Sequence, residues 1–462
     1  MTSEPVENVV LGGGEAGKYI AWELAKQGRP VVVIERALVG GSCPNIACLP
    51  SKNVIRTAKV ADLVSHAAPY GIHAGDVRVE MEGVRQRKRD MVDGMIAIHR
   101  KKFDVPHLEF LLAEGRVVAP KTVEARLPAG GTRTFTAERL FLNLGTHAAV
   151  PDIPGLVAAA PLTHVEALEL GRLPPRLVVL GGGYVGVELA QAFRRLGSHV
   201  TILQRGPQLL AREDRDLADA VRAIFEEDGI EVVTGAETTA VEGRSGEGVR
   251  LRVKTAAGER IIEGSDILVA AGRVPNTRGI GLEAAGIALD ARGYVEVDDR
   301  LRTTAPSVWA MGECAGSPQF THVAFDDFRV VRDNLADKPR STRDRLIPYC
   351  AFIDPEMARV GLDETTAKRR GTPVRVARLP MTSVLRARAM VETRGFMKML
   401  IDTKGDRILG FTMLGAAAGE VLAVVQTAML AGLPYTGLRD AIFTHPTMSE
   451  GLNVLLTNVP QA

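Results

Sequence analysis

The sequence predicts an α/β protein in which one strand–turn–helix–strand unit occurs twice, completed by a C-terminal α+β region. Three observations carry this prediction. Two segments about 170 residues apart repeat a single pattern: an apolar strand, a glycine-rich turn, an amphipathic helix closed by glycine, and a second apolar strand. From about residue 348 the pattern changes to mixed strands and one apolar helix near 417–433. Finally, 462 residues with 46% hydrophobic and 24% charged positions make an ordinary globular chain of about three domains.

The elements follow in order. Residues 9–11 form a strand that runs into Gly12, Gly14 and Gly17, with a helix ending at Gly28 and a second strand over 31–35. Residues 54–103 read as mostly helical, with the charge run 85–90 as a solvated face. Residues 116–145 alternate as short antiparallel strands ending at Gly145, and the prolines of 151–154 mark a hinge. The second unit has its strand over 177–180, its turn at Gly181, Gly183 and Gly186, a helix to Gly197, and a strand ending at Gln204. Further strands fall around 230–270, before the segments 271–276 and 308–313.

Composition narrows the function. With 57 basic and 55 acidic residues the net charge is +2, so no electrostatic case exists for nucleic acid or an anionic membrane, and the partner is expected to be a small molecule. Four cysteines do not make a secreted disulfide scaffold. The first apolar run, 9–11, is too short for a signal-peptide core, and the apolar stretch 415–433 carries Glu420 and Gln426, which suits a buried helix rather than a bilayer span. The expected location is the cytoplasm.

Each glycine cluster fits G-x-G-x-x-G directly after a strand, where bare backbone amides at a helix N-terminus can approach a pyrophosphate. Two matches in full βαβ context point to two Rossmann-like dinucleotide-binding domains. Glu35, 23 positions after Gly12, is placed to accept hydrogen bonds from a ribose diol. At the equivalent place Gln204 is neutral and Arg205 follows, so the second site leans to NADPH, with NADH as the alternative. Between residues 40 and 52 lie Cys43 and Cys48. An extended chain would part them by about 16 Å against a Cα limit near 7 Å, so they can bond only where the backbone is helical or turned. Pro50 cannot be a late helix residue without distortion. No further Cys or His ligand lies nearby, so redox exchange is favoured over a metal site.

These motifs, with residues 271–276, the Gly312 region and 444–450, make the chain resemble, end to end, the flavoprotein disulfide reductases with a C-x4-C active site. The resemblance implies an FAD domain over 1–150 and 273–340, an NAD(P)H domain over 151–272, and a dimerisation domain over 341–462 that completes the active site across a homodimer. It implies Cys48 as the thiol beside the flavin, Cys43 as the interchange thiol, and His445, oriented by Glu450, as the base from the other subunit. Lys52 and Glu188 look like the ion pair near the reacting rings, and Tyr184 like the cover of the nicotinamide pocket. Gly41, Ser42, Lys52, Gly145, Gly272, Gly312 and Glu313 would line the cofactor sites, Glu313 standing where the family usually has aspartate. No resident metal is expected.

The acceptor is expected to be a small disulfide or a soft metal ion. Segments 319–321, 326–333 and 443–450 are most similar to the bacterial reactive-chlorine-resistance branch, copper(II) reductases that are mercuric reductase-like. The absence of a vicinal cysteine pair in 455–462, and the presence of His445, demote mercury itself. Dihydrolipoamide dehydrogenase is the alternative, counted against by Gln204; a flavin-binding redox sensor with little turnover is another, counted against by Cys43, Cys48, Lys52, Glu188, His445 and Glu450. Cys314 and Cys350 read as buried apolar residues, and Met381, Met390, Met397, Met399 and Met413 as core filling.

Overall fold

Aliphatic runs without polar alternation build strands covered on both faces, and one such sheet centres the first of two units. In the computed structural model, which describes residues 3–461, this unit takes the chain up to Val54, Glu82–Ala149 and Gly272–Arg345. Its seven-stranded sheet sets Leu108–Leu112, Val31–Glu35, Glu4–Leu11 and Thr132–Leu142 in parallel. Val308–Ala310 adds in parallel to Thr132–Leu142, while Thr122–Arg126 and Glu114–Ala119 continue antiparallel. Val9, Leu11, Val32 and Ile34 face one core; Val10, Val31 and Val33 face the other, where Ile20, Ala21 and Leu24 of the helix Glu15–Lys26 pack. That is the side-chain period of two on a strand buried from both sides.

One expectation fails inside the helix Met81–Phe103. Of the run 85–90, Lys88 is only 1% exposed. It falls four residues after buried Val84 on the same helix stripe, so its whole side chain is turned inward although most of its neighbours in the run are solvated.

The second unit holds Ile55–Met81, Val150–Ala271 and the chain from Leu346 onward. Its four-stranded parallel sheet, in the order Glu231–Thr234, His199–Gln204, Arg176–Leu180, Asp266–Val269, repeats the βαβ plan of the first. Three antiparallel strands, Glu237–Arg244, Gly248–Thr255 and Gly258–Gly264, follow as a separate sheet. From Pro348 the chain forms a five-stranded antiparallel sheet packed by the helices Ala418–Leu430 and Gly451–Thr457. Met381, Met397, Met399 and Met413 are wholly buried in that core and Met390 packs at its edge. Cys314 is fully buried, which pushes its thiol up to about 11; Cys350, expected buried, is half-buried. No helix among the described residues is long and apolar enough to cross a membrane.

Candidate active site

The first glycine turn is built by close approach. Gly12 has φ +99°, and a Cβ on it would lie 2.3 Å from the Asn143 carbonyl oxygen. A Cβ on Gly17 would lie 2.2 Å from the Gly12 oxygen, so the helix Glu15–Lys26 starts hard against the strand end with its first amides forward. Glu35, ending the neighbouring strand, turns back onto this turn: Oε2 accepts from Gly13 N at 2.8 Å, and Oε1 from Ala37 N and Leu38 N at 3.0 Å. Three of its roughly four acceptor positions are thereby filled, leaving about one for a ligand hydroxyl.

The cysteine segment folds over the same turn. A Cβ on Gly41 would lie 2.5 Å from Gly14 Cα. Asn45 then donates to the Val39 and Gly41 carbonyls at 3.0 and 2.7 Å, fixing the short helix Ser42–Asn45. Cys48 begins the helix Cys48–Ser65, which puts Pro50 in its first turn, where proline is tolerated. The turned backbone leaves both cysteines as half-buried thiols on one short stretch. Cys48 Sγ lies 3.2 Å from Thr321 Oγ1, at the start of the helix Thr321–Leu335. The neighbouring Cys48 thiol, and then burial, hold the Cys43 thiol far above the ordinary cysteine range, while the Thr321 hydroxyl works against that rise. Lys52 sits one turn beyond Cys48 on the same helix.

Two polar hubs that the sequence reading missed hold this arrangement together. Asn143 accepts from Gly17 N at 3.0 Å and donates to the Met311 carbonyl at 2.8 Å, tying the glycine turn to the segment carrying Gly312. Asp327, fully buried, accepts from Gly312 N and Ser317 Oγ, both at 2.7 Å, and pairs with Arg345. Next to Gly312, Glu313 Oε2 accepts from the Thr146 hydroxyl and from Arg273 Nε, the latter at 3.2 Å. Gly145 and Gly272 flank this group: the Gly145 oxygen accepts from Asn276 N and the Gly272 oxygen from Ala149 N.

In the second unit the turn is reproduced with one change of charge. Gly182 N donates to Gln204 Oε1 at 2.9 Å, the bond that Gly13 makes to Glu35. A Cβ on Gly181 would lie 2.4 Å from the Ala270 oxygen and one on Gly186 2.0 Å from the Gly181 oxygen, whereas Gly183 faces open space. Arg205 is exposed. Tyr184 opens the helix Tyr184–Leu196, on which Glu188 accepts from Phe352 N at 2.8 Å. In the C-terminal part of this unit, His445 Nδ1 lies 2.9 and 3.0 Å from the two Glu450 oxygens, leaving Nε2 as the outward nitrogen.

Two family models cover nearly all of this geometry. Residues 6–327 match the pyridine nucleotide-disulphide oxidoreductase model and residues 347–455 its dimerisation domain. The chain is 37% identical over 460 residues to the probable pyridine nucleotide-disulfide oxidoreductase RclA of Escherichia coli strain K12, covering 98% of both. The chain belongs to the pyridine nucleotide-disulphide oxidoreductase family. It is also 33% identical over 451 residues to a mercuric reductase of Bacillus cereus, covering 96% of this chain and 70% of that one. Among solved structures, the Cu(II) complex of the HOCl-induced flavoprotein disulfide reductase RclA from Escherichia coli superposes with a TM-score of 0.89, at 35% identity over 99% of each chain.

Membership makes the protein an oxidoreductase that uses a flavin and a pyridine nucleotide and carries a dimerisation domain. The residues present fit both cofactors. Each glycine turn presents helix-start amides where side chains would collide, and each strand-end side chain is pinned to the turn by a backbone amide. Thr321 and Asp327 lie in the segments 319–321 and 326–333 that carried the resemblance, but nothing in those segments assigned them a role; Asn143 has only its place as a polar residue at an apolar strand end.

Proposed function

We propose that this chain is an FAD-containing reductase that draws electrons from NADPH and delivers them through Cys43 and Cys48 to a soft metal ion, Cu(II) foremost. The carrying observation is the pair of half-buried cysteine thiols on one turned stretch of backbone, Cys43 in the helix Ser42–Asn45 and Cys48 at the start of the next helix, with the Thr321 hydroxyl 3.2 Å from Cys48 Sγ. The structural relative described as a Cu(II) complex and the mercuric reductases support the metal reading. Bound FAD supplies the two-electron relay between nicotinamide and dithiol. Cys43 and Cys48 each lose a proton and together give up two electrons as their S–S bond forms, so two Cu(II) leave as two Cu(I), or one Hg(II) as Hg(0). Thiolates are soft ligands suited to the product Cu(I). Cys48 lies at the positive end of its helix, which favours its thiolate.

In this reading, residues 151–272 bind the nicotinamide nucleotide, with Tyr184 covering its pocket, and Lys52 and Glu188 are the charged pair beside the reacting rings. Residues 341–462 form the dimer, so that the partner subunit's His445, oriented by Glu450, stands as the base for Cys43 when the acceptor is a disulfide. A dithiol of this kind is kept reducible in the cytoplasm. The pair His445–Glu450 favours a second reading, reduction of a small disulfide, because a leaving thiolate needs a proton returned.

Anaerobic NADPH oxidation against Cu(II), Hg(II), lipoamide and glutathione disulfide tests the choice. Cu(II)-dependent turnover well above the others supports the proposal, fast turnover of one disulfide replaces it with the second reading, and slow consumption with every acceptor indicates a redox sensor. Nucleotide preference has its own test. Arg205 is the guanidinium placed to pair with a 2′-phosphate, so Arg205→Ala should raise the NADPH KM about tenfold and leave NADH nearly unchanged. Equal effects on both nucleotides would remove Arg205 from that role.

A further inference from the structure

Tyr184 is not merely packed in place. Its hydroxyl donates to Glu213 Oε1 at 2.6 Å. The Glu213 side chain is 0% exposed, and its Oε2 lies 2.9 Å from Arg359 Nε. Arg359, on the strand Met357–Gly361, also bonds Asp363 Oδ2 at 2.6 Å and lies over the Tyr349 ring, 4.8 Å from its centroid. The loop carrying Glu213 is fastened to the second glycine turn: Leu210 N donates to the Gly182 oxygen at 2.8 Å, and Gln208 Nε2 to the Glu213 carbonyl at 3.0 Å. Burial, and then the Glu213 charge, push the Tyr184 phenol up, so it stays protonated and able to donate.

A carboxylate removed from water is costly unless it is paired and hydrogen-bonded. Glu213 meets that condition in part: Arg359 supplies the opposite charge, the Tyr184 hydroxyl supplies the carboxylate's one hydrogen bond among the described residues, and burial still pushes its carboxyl up. That hydroxyl belongs to the residue read as covering the nicotinamide pocket. We propose that Glu213 is a positioning residue: anchored by Arg359, it holds Tyr184 over the pocket, so that nicotinamide must break the Tyr184–Glu213 hydrogen bond to displace the ring, and that bond sets nicotinamide affinity. This rests on the reading of Tyr184 as the pocket cover. The bond exists only in the covered state. Removing the hydroxyl therefore destabilises that state alone and tightens nicotinamide binding by the same factor.

The test uses FAD-loaded dimer titrated calorimetrically with NADP⁺ and NAD⁺, beside anaerobic flavin reduction by NADPH. Tyr184→Phe keeps the ring and should lower both dissociation constants about tenfold, the worth of a hydrogen bond to a charged acceptor. Glu213→Gln should lower them less, since a neutral acceptor remains. The double variant should bind no more tightly than Tyr184→Phe alone, a non-additivity that a purely structural role for Glu213 would not give. Tyr184→Ala separates the two claims. Unchanged affinity in Tyr184→Ala overturns the pocket-cover reading and the latch with it. Tighter binding in Tyr184→Ala, with Tyr184→Phe and Glu213→Gln at wild-type affinity, overturns the latch alone.

Discussion

Cys43→Ser is expected to lower NADPH-dependent reduction of Cu(II), lipoamide and glutathione disulfide alike by about a thousandfold or more, because the proposed path sends the electron pair out through Cys43 and Cys48. His445→Ala should then separate the acceptors. A metal ion acidifies the thiol it binds, and both thiol protons are released to solvent, so Cu(II) turnover needs no positioned base. A disulfide needs Cys43 deprotonated and the leaving thiolate reprotonated, for which a base is worth about 10²–10⁴-fold. His445→Ala should therefore cost disulfide turnover about a hundredfold and leave Cu(II) turnover within about tenfold.

The pH dependence carries a definite sign. The neighbouring Cys48 thiol, and then burial, raise the Cys43 thiol above its ordinary range. Without the base, the reactive thiolate fraction must climb by about tenfold per pH unit everywhere below that raised value. Disulfide turnover of His445→Ala, measured from pH 6 to 9, should rise along that line while the wild type levels off. A flat residual rate in the variant would show that Cys43 ionises without help and that His445 is not its base.

The parts of the fold that could be read from the chain are those where one short segment determines its own structure. The strands over 9–11 and 31–35 end in glycine or a single acid, and both βαβ units follow from such local signals. The two cysteines were legible for the same reason, since their spacing demands a turned backbone. Lys88 was not: inside a run of charges, the stripe it shares with Val84 is invisible to composition. Asn143 and Thr321 were hidden differently, because each acts on a segment more than a hundred residues away, 126 for Asn143 to Gly17 and 273 for Thr321 to Cys48. Glu213 looks like one more surface acid in the charge-rich stretch 212–216; only the packing of the strand Met357–Gly361 shows it buried against Arg359.

The same stretch holds the residue network with the largest expected effect on stability. Lys398 is 1% exposed on the strand Phe396–Asp402, its Nζ 2.8 Å from Asp214, 3.0 Å from Asp216 and 2.7 Å from Glu364. The ammonium thus sits amid three carboxylates whose oxygens lie within 4.8 Å of one another. Lys398→Met keeps the length of the side chain and removes the one charge shared by all three, leaving Arg378 to pair with Asp216 alone, so it should cost about 3–5 kcal/mol at neutral pH. Burial opposes ionisation of Asp214, yet hydrogen bonds from Lys398 and Thr365 hold its carboxyl down to about 2. A carboxyl depressed in the folded state contributes stability that is fully present above its unfolded value, near 3.9, and is lost as pH falls through the folded one. The gap between wild type and Lys398→Met should therefore be full at pH 7 and narrow between about pH 4 and pH 2. Urea unfolding midpoints at pH 7 and pH 3 measure it. A gap of equal size at both would assign the loss to packing on the strand rather than to the charges around Lys398.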